Sequence, residues 1–389
     1  MESGSEGTKS SRVDFDSPLP REGTGSVKWD RYRGTDIIPL WVADMDFAAP
    51  PPVLDAIGMR LRHPVFGYTN APEELIEAIC AHVAASTGWS IRREWIVWLP
   101  GLVSGLNVAA RATGEPGDAV ITAVPVYPPF LSTPALSQRE LVTVALRRRD
   151  DGRYEWDWDL LDAAVTPRTR LLLLCNPHNP VGRVWTSQEL RHVAEWSERH
   201  GIAICSDEIH SGLVLDAGAR HIPIAMQHPG LAERTITLMA PSKTFNIPGL
   251  GFSFAVIPGE GLRRRFRETM KGIVPDINVF GYVAALAAYT HGEPWRQSLV
   301  DYLRGNRDCL MEAIARHPLL TATHPEATYL AWIDARALGA NPQRIFEKAG
   351  LGPSDGRDFG APGFVRINYG CRRALLETVL ERLASLRPE

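Results

Sequence analysis

Lysine is scarce in this chain: of 42 basic residues only Lys9, Lys28, Lys243, Lys271 and Lys348 are lysine, the others being arginine. Long apolar runs are absent too, and none approaches the roughly 20 residues that a membrane-spanning helix needs. The N-terminal stretch, residues 1–25, is rich in Ser, Gly and charge and has no apolar core of the signal-peptide kind, so a disordered lead-in over residues 1–26 is expected. The net charge of −3 leaves no electrostatic reason to expect nucleic acid or an anionic membrane as partner. Five cysteines are spread along 389 residues without a C-x-x-C pair or a His/Cys cluster at metal spacing. They predict reduced, structural thiols, no metal site and a soluble cytoplasmic protein, with Cys175 and Cys205 ending apolar runs as buried thiols. Neither a Rossmann glycine fingerprint nor a Walker P-loop is present.

The chain is long enough for two domains. Ile37–Phe47 (I-I-P-L-W-V-A-D-M-D-F) opens as a short strand, and Pro50-Pro51-Pro52 stop it and launch a helix. Asp44 and Asp46 in that turn predict loop and capping residues rather than an acid/base pair. A second helix covers 72–87, a strand 96–99, and Pro100-Gly101-Leu102-Val103 then opens a third helix. A glycine-bearing turn at a helix N-terminus aims free N–H groups and the positive dipole end outward, a phosphate-binding geometry that alone specifies no ligand.

From residue 119 the pattern is regular. Apolar runs at 119–124, 141–146, 170–175, 202–205, 235–240 and 251–257 are separated mostly by helical stretches, one carrying a capping box from Thr186 to Glu189. Continuous apolar strands alternating with helices predict a sheet buried on both faces and mostly parallel. Beyond residue 290, long helices flank two strands, 328–333 and 364–370, and the first alternates like a half-exposed strand. A smaller α+β domain over 291–389 is expected beside a large domain over 53–290, with 27–52 joining the small one.

In open α/β sheets ligands sit beyond the carboxyl ends of the strands. Asn179, Asp207 and Lys243 each follow such an end, so an amide, a carboxylate and a lysine should converge on one crevice facing the helix that begins at Leu102. Lysine differs from arginine in that a desolvated ammonium loses its proton and can then form a Schiff base with a carbonyl. This set points to pyridoxal 5′-phosphate (PLP).

The motifs W-V-A-D-M-D-F from Trp41, N-P-H-N-P-V-G from Asn176, S-D-E-I-H from Ser206 and A-P-S-K-T-F-N from Ala240 give the chain a family resemblance. From about Val27 onward it resembles fold type I PLP enzymes of the class I/II aminotransferase group, and within them the MalY/PatB-type cysteine-S-conjugate β-lyases. The resemblance implies an α/β fold with a large PLP-binding domain and a small α+β domain, assembled as a homodimer. It implies that Lys243 carries PLP as a Schiff base and moves the Cα proton, that Asp207 pairs with the pyridine nitrogen, and that Asn179 donates to the phenolate. Tyr127 would stack on the ring and His210 would lie beside it, where many aminotransferases have tyrosine. The backbone at Leu102 and Val103 with Ser242 would hold the phosphate, joined by Tyr68 from the neighbouring subunit. Arg366, with Asn179 and Ala43, would bind the substrate carboxylate. Ala240 and Phe252 stand where many relatives carry phosphate-binding side chains, which shifts the phosphate onto backbone donors.

The activity expected is elimination of a thiol from an S-substituted cysteine, giving pyruvate and ammonia. Transamination uses the same residues and is the alternative, as is a lyase specialised for a bulky S-cysteinyl conjugate. A non-catalytic regulatory protein on this fold is disfavoured by the intact Lys243, Asp207, Asn179 and Arg366. No second basic residue is evident in the sequence to pair a distal carboxylate on the substrate.

Overall fold

The computed structural model describes residues 13–388. Its centre is a seven-stranded sheet of β1 (Ile96–Leu99), β2 (Ala119–Val124), β3 (Glu140–Ala145), β4 (Thr169–Cys175), β5 (Ala203–Asp207), β6 (Thr235–Met239) and β7 (Ser253–Val256), in spatial order β1-β7-β6-β5-β4-β2-β3. The pairs from β3 through β2, β4 and β5 to β6 are parallel, while β7 runs antiparallel to both β6 and β1. Every residue of β6 is buried, as its unbroken T-I-T-L-M run requires of a strand covered on both faces. Register is what matters for function: Cys175 pairs with Asp207 and Asp207 with Leu238, so β4, β5 and β6 end level with one another. The loops carrying Asn179, Asp207 and Lys243 therefore leave the sheet side by side.

Helix α1 (Leu102–Ala112) lies close against this sheet. A Cβ at Gly105 would stand 2.9 Å from Leu238 and 3.0 Å from Leu99, so only glycine lets the helix approach this far. Helix α2 (Ser187–His200) has the expected capping box at Thr186 and Glu189 and ends on Gly201 at φ 65°.

The smaller sheet holds β8 (Thr321–Ala322), β9 (Leu330–Asp334), β10 (Ser354–Asp355) and β11 (Phe364–Asn368) in the order β8-β9-β11-β10. Ile38–Pro39 pairs in parallel with Leu351–Gly352, which ties the early chain to this part of the molecule. The expected half-exposed strand is wrong: β9 is buried on both faces except at Asp334. Ala331 and Ile333 pack into one apolar cluster, while Trp332 packs into another and stacks on Phe364 at 5.2 Å. Tyr and Trp in alternation mimic a polar face, but here the indole is an interior group. Trp332→Ala should cost about 3–5 kcal/mol of stability, read from denaturant unfolding of the cofactor-free protein.

The expected disordered lead-in also needs correction. Residues 1–12 lie outside the described residues, but 13–26, though mostly exposed, are anchored through Phe15 and Arg21. Phe15 is buried and makes ring contacts with Phe47 at 5.0 Å and Trp295 at 5.6 Å, and Arg21 forms ion pairs with Asp44 and Asp46. Ser and Gly content hid the two side chains that anchor this segment. Among the described residues no helix is long and apolar enough to cross a membrane, and all five cysteines are free thiols.

Candidate active site

The carboxyl ends of β4, β5 and β6 open onto a cavity of about 660 Å³, bounded on the far side by the loop 41–43 and by Arg366. Asp207, Asn179, Tyr127, His210, Ser242 and Lys243 all line it, as do Leu102 and Val103 from the start of α1. Eight side chains or backbone positions expected from distant parts of the sequence thus meet in one place. Tyr68 does not reach this cavity; it is fully exposed on the surface.

Lys243 follows β6 and is half-buried in the cavity wall. Its Nζ donates to the Ala43 carbonyl at 2.6 Å. Burial, aided by the Arg366 charge and opposed by Asp44 and Asp207, draws its pKa from 10.5 down to about 8. Asp207, at the end of β5, accepts the Ile209 N–H at 3.1 Å. Burial pushes its carboxyl up to about 7, although the Ile209 donor and Lys243 pull the other way. Among the described residues the Ile209 N–H is the one hydrogen-bond donor to this buried carboxyl.

Arg366 projects from the middle of β11, its guanidinium over the Phe359 ring at 4.7 Å. Its Nη1 donates to Asn179 Oδ1 at 3.0 Å and its Nη2 to the Trp41 carbonyl at 2.7 Å, while Nε is buried without a partner. Burial lowers the guanidinium to about 10, still a cation at neutral pH. His210 is buried and drawn down to about 3 by desolvation and by the Lys243 and Arg366 charges, so it is a neutral imidazole there. Tyr127 has its hydroxyl pKa raised by burial.

At the other end, α1 begins at Gly101 with no side-chain cap, so its first-turn N–H groups are open to the cavity beside Ser242. These features fit PLP: a proton-seeking carboxylate for a ring N–H, an amine of lowered pKa for an aldehyde, uncapped helix donors for a phosphate and an unpaired guanidinium Nε for a carboxylate.

The contacts of five residues at or beside the cavity were not visible in the sequence. Tyr329 donates its hydroxyl to the same Ala43 carbonyl that receives Lys243, at 2.7 Å. Asp44 and Asp46 are not caps but salt-bridge partners of Arg21 and Lys28. Arg31 and Arg357 reach the rim of the cavity, which corrects the expectation that no second basic residue is near; Arg31 lies over the Trp41 ring at 4.5 Å, and Arg357 pairs with Asp355. No motif marks these contacts, because backbone carbonyls and long-range ion pairs leave no local pattern.

Comparison with known proteins agrees with this geometry. The family model for aminotransferase class I and II matches residues 35–383. The curated relative cystathionine beta-lyase PatB of Bacillus subtilis is 36% identical over 95% of this chain and 99% of its own. Among solved structures, OvoB is 46% identical with a TM-score of 0.93, covering 95% of this chain and 98% of its own. The PLP-bound C–S lyase from Staphylococcus hominis is 32% identical with a TM-score of 0.90, covering 96% and 97%. A match over nearly the full length in sequence and fold, with the expected lysine, aspartate, asparagine and arginine drawn into one cavity, means that this chain belongs to the aminotransferase class I and II family of PLP-dependent enzymes.

Proposed function

We propose that this protein is a PLP-dependent carbon–sulfur β-lyase that converts an S-substituted L-cysteine, cystathionine-like or carrying another thiol group, into thiol, pyruvate and ammonia. One observation carries the reading: the Lys243 amine, with its pKa drawn down to about 8, shares one cavity with Asp207, Asn179 and Arg366. PLP, when bound, supplies a sink for the electron pair left at Cα.

The chain's own residues do the rest. The first-turn N–H groups of Leu102 and Val103, with the Ser242 hydroxyl, hold the phosphate. Asp207 would hold a proton on the ring nitrogen, and the Tyr127 ring would cover the cofactor face, with His210 nearby as a neutral neighbour. The free Nε of Arg366, together with Asn179, clamps the substrate carboxylate and so aims the Cα–H bond at Lys243. Nζ of Lys243 takes the Cα proton and the Ala43 carbonyl receives the resulting N–H. The electron pair left at Cα forms the Cα–Cβ double bond as the Cβ–S bond breaks and its pair leaves with sulfur, which takes up a proton; water then hydrolyses the released 2-aminoacrylate to pyruvate and ammonia. Toward the mouth the cavity continues past Trp41, Arg31 and Arg357, where the departing group would lie. Exposed Tyr68 supports a homodimer in which it reaches the partner's phosphate, and five free thiols support a cytoplasmic setting.

Arg366→Lys keeps a cation but loses the fork. It should lower kcat/KM by about 10–150-fold, with most of the loss in KM, measured by steady-state kinetics. The test of the function is incubation with S-substituted cysteines in the absence of any 2-oxo acid. Thiol and pyruvate appearing in equal amounts supports the lyase; turnover that begins only when an oxo acid is added, without thiol, would make the protein an aminotransferase.

A further inference from the structure

The loop 41–46 crosses the cavity and is held from two sides. On the site side, the Ala43 carbonyl receives Lys243 and Tyr329, and the Val42 and Asp44 carbonyls both receive Asn368 Nδ2 at 2.7 Å. From the opposite side comes the N-terminal segment. Arg21 donates to Asp44 Oδ2 at 2.6 Å and to Asp46 Oδ1 and the Met45 carbonyl, each at 2.9 Å. Lys28, almost wholly buried, donates to Asp46 Oδ2 at 2.8 Å, and the Trp29 indole to Asp46 Oδ1 at 2.8 Å.

The two aspartates are therefore unequally satisfied. Asp46 has two cations and an indole N–H. Asp44 shares one guanidinium through Oδ2, while its Oδ1 is buried with no hydrogen-bond partner. Asp44 is also the next residue after Ala43, whose carbonyl is 2.6 Å from the lysine. A carboxylate oxygen buried without a partner is little screened by water, so the Asp44 charge also acts beyond the guanidinium paired with its other oxygen. Of the charges that favour the lysine ammonium, Asp44 acts more strongly than Asp207.

We propose that Asp44 is a positioning residue for Lys243: its carboxylate and the Ala43 carbonyl together hold the lysine as an ammonium once it has a proton, and Arg21 sets how much of the Asp44 charge the lysine feels. The inference rests on Lys243 being the reacting amine. The groups that act on Lys243 are Asp44 and Asp207 on the favourable side and Arg366 on the other, with His210 and Tyr329 neutral. Those around Asp44 are Arg21, Lys28 and Asp46.

The scarcity of lysine makes the test clean. The full-length protein, freed of PLP, is labelled competitively with acetic anhydride between about pH 6 and about pH 10, and the Lys243 peptide is followed by mass spectrometry with exposed Lys271 as internal reference. Asp44→Asn should lower the labelling midpoint of Lys243, so that below the midpoint it reacts about 3–10-fold faster. Arg21→Gln should do the opposite, raising the midpoint and slowing the reaction about 2–5-fold, while Arg21→Lys stays close to the parent. Opposite signs are the signature of charge. A loop that merely loosened would hydrate Lys243 in both variants and move both midpoints up, and that result, or no shift in either, overturns the proposal. Should Asp44→Asn fail to fold by circular dichroism, the Arg21 pair decides together with amide hydrogen exchange of residues 41–46: a midpoint raised in Gln and restored by Lys with exchange of the loop unchanged supports the proposal, and an unchanged midpoint, or one raised together with faster exchange of the loop, overturns it. Labelling needs no turnover, so this outcome is separate from that of the lyase assay.

Discussion

Lys243→Ala is expected to reduce turnover of any S-substituted cysteine by at least about 10⁴-fold while leaving a folded protein. The size of the effect follows from the lysine doing two jobs at one atom. In the proposed mechanism Nζ is both the amine that bonds the cofactor aldehyde and the base toward which the clamp of Arg366 and Asn179 aims the Cα–H bond. No neighbour can substitute: His210 is buried against cationic neighbours and Tyr329 is committed to the Ala43 carbonyl. The variant should also lose the absorption band near roughly 420 nm that the lysine-bound cofactor gives. Added methylamine, small enough to enter the vacated space, should restore part of the activity. A variant that keeps near-parental thiol release would remove Lys243 from the mechanism.

Asp207→Asn should have two effects of opposite sign. With PLP, turnover should fall by about 10²–10³-fold, because the amide no longer carries the negative charge that keeps a proton on the ring nitrogen. Without PLP, the same change should stabilise the protein. The folded-state pKa of Asp207 is raised to about 7 from 3.8, chiefly by burial. The folded chain thus holds a proton that the unfolded chain releases, and stability falls as pH rises across that window. Asparagine removes the penalty. At pH 8 the cofactor-free variant should be more stable than the parent by about 1–3 kcal/mol, an amount reduced below the full shift by the compensating charge of Lys243, and its stability should vary less between about pH 4 and about pH 7. Denaturant unfolding at several pH values measures both. Activity lost together with stability would instead make Asp207 a structural residue.

The positions that the sequence made legible are those tied to strand ends. Apolar runs such as L-L-L-L-C before Asn176 and T-I-T-L-M before Ala240 expose the buried parallel strands, and polar residues in the loops just beyond them come to the crevice. Asn179, Asp207 and Lys243 were found this way without coordinates. What stayed hidden depends on contacts with no local pattern. The Ala43 carbonyl is a backbone atom, and any residue could supply it. Tyr329 lies 286 positions from its partner, and Arg21 sits in a stretch whose Ser and Gly content suggests disorder. Asp44 and Asp46 looked alike as turn residues; only the fold distinguishes the aspartate with two cations from the one with an unpaired oxygen. Trp332 was misjudged for a related reason, since its partner Phe364 is supplied by the neighbouring strand β11, which is distant in sequence.

The most direct measurement on the central claim is where the cofactor is bonded. The purified protein, loaded with PLP, is treated with borohydride to reduce any carbon–nitrogen double bond and then digested for mass spectrometry. The mass of reduced phosphopyridoxyl should appear on the peptide containing Lys243 and on none containing Lys9, Lys28, Lys271 or Lys348. An unmodified Lys243 peptide, or the added mass on another lysine, would contradict the account of this cavity as the catalytic site.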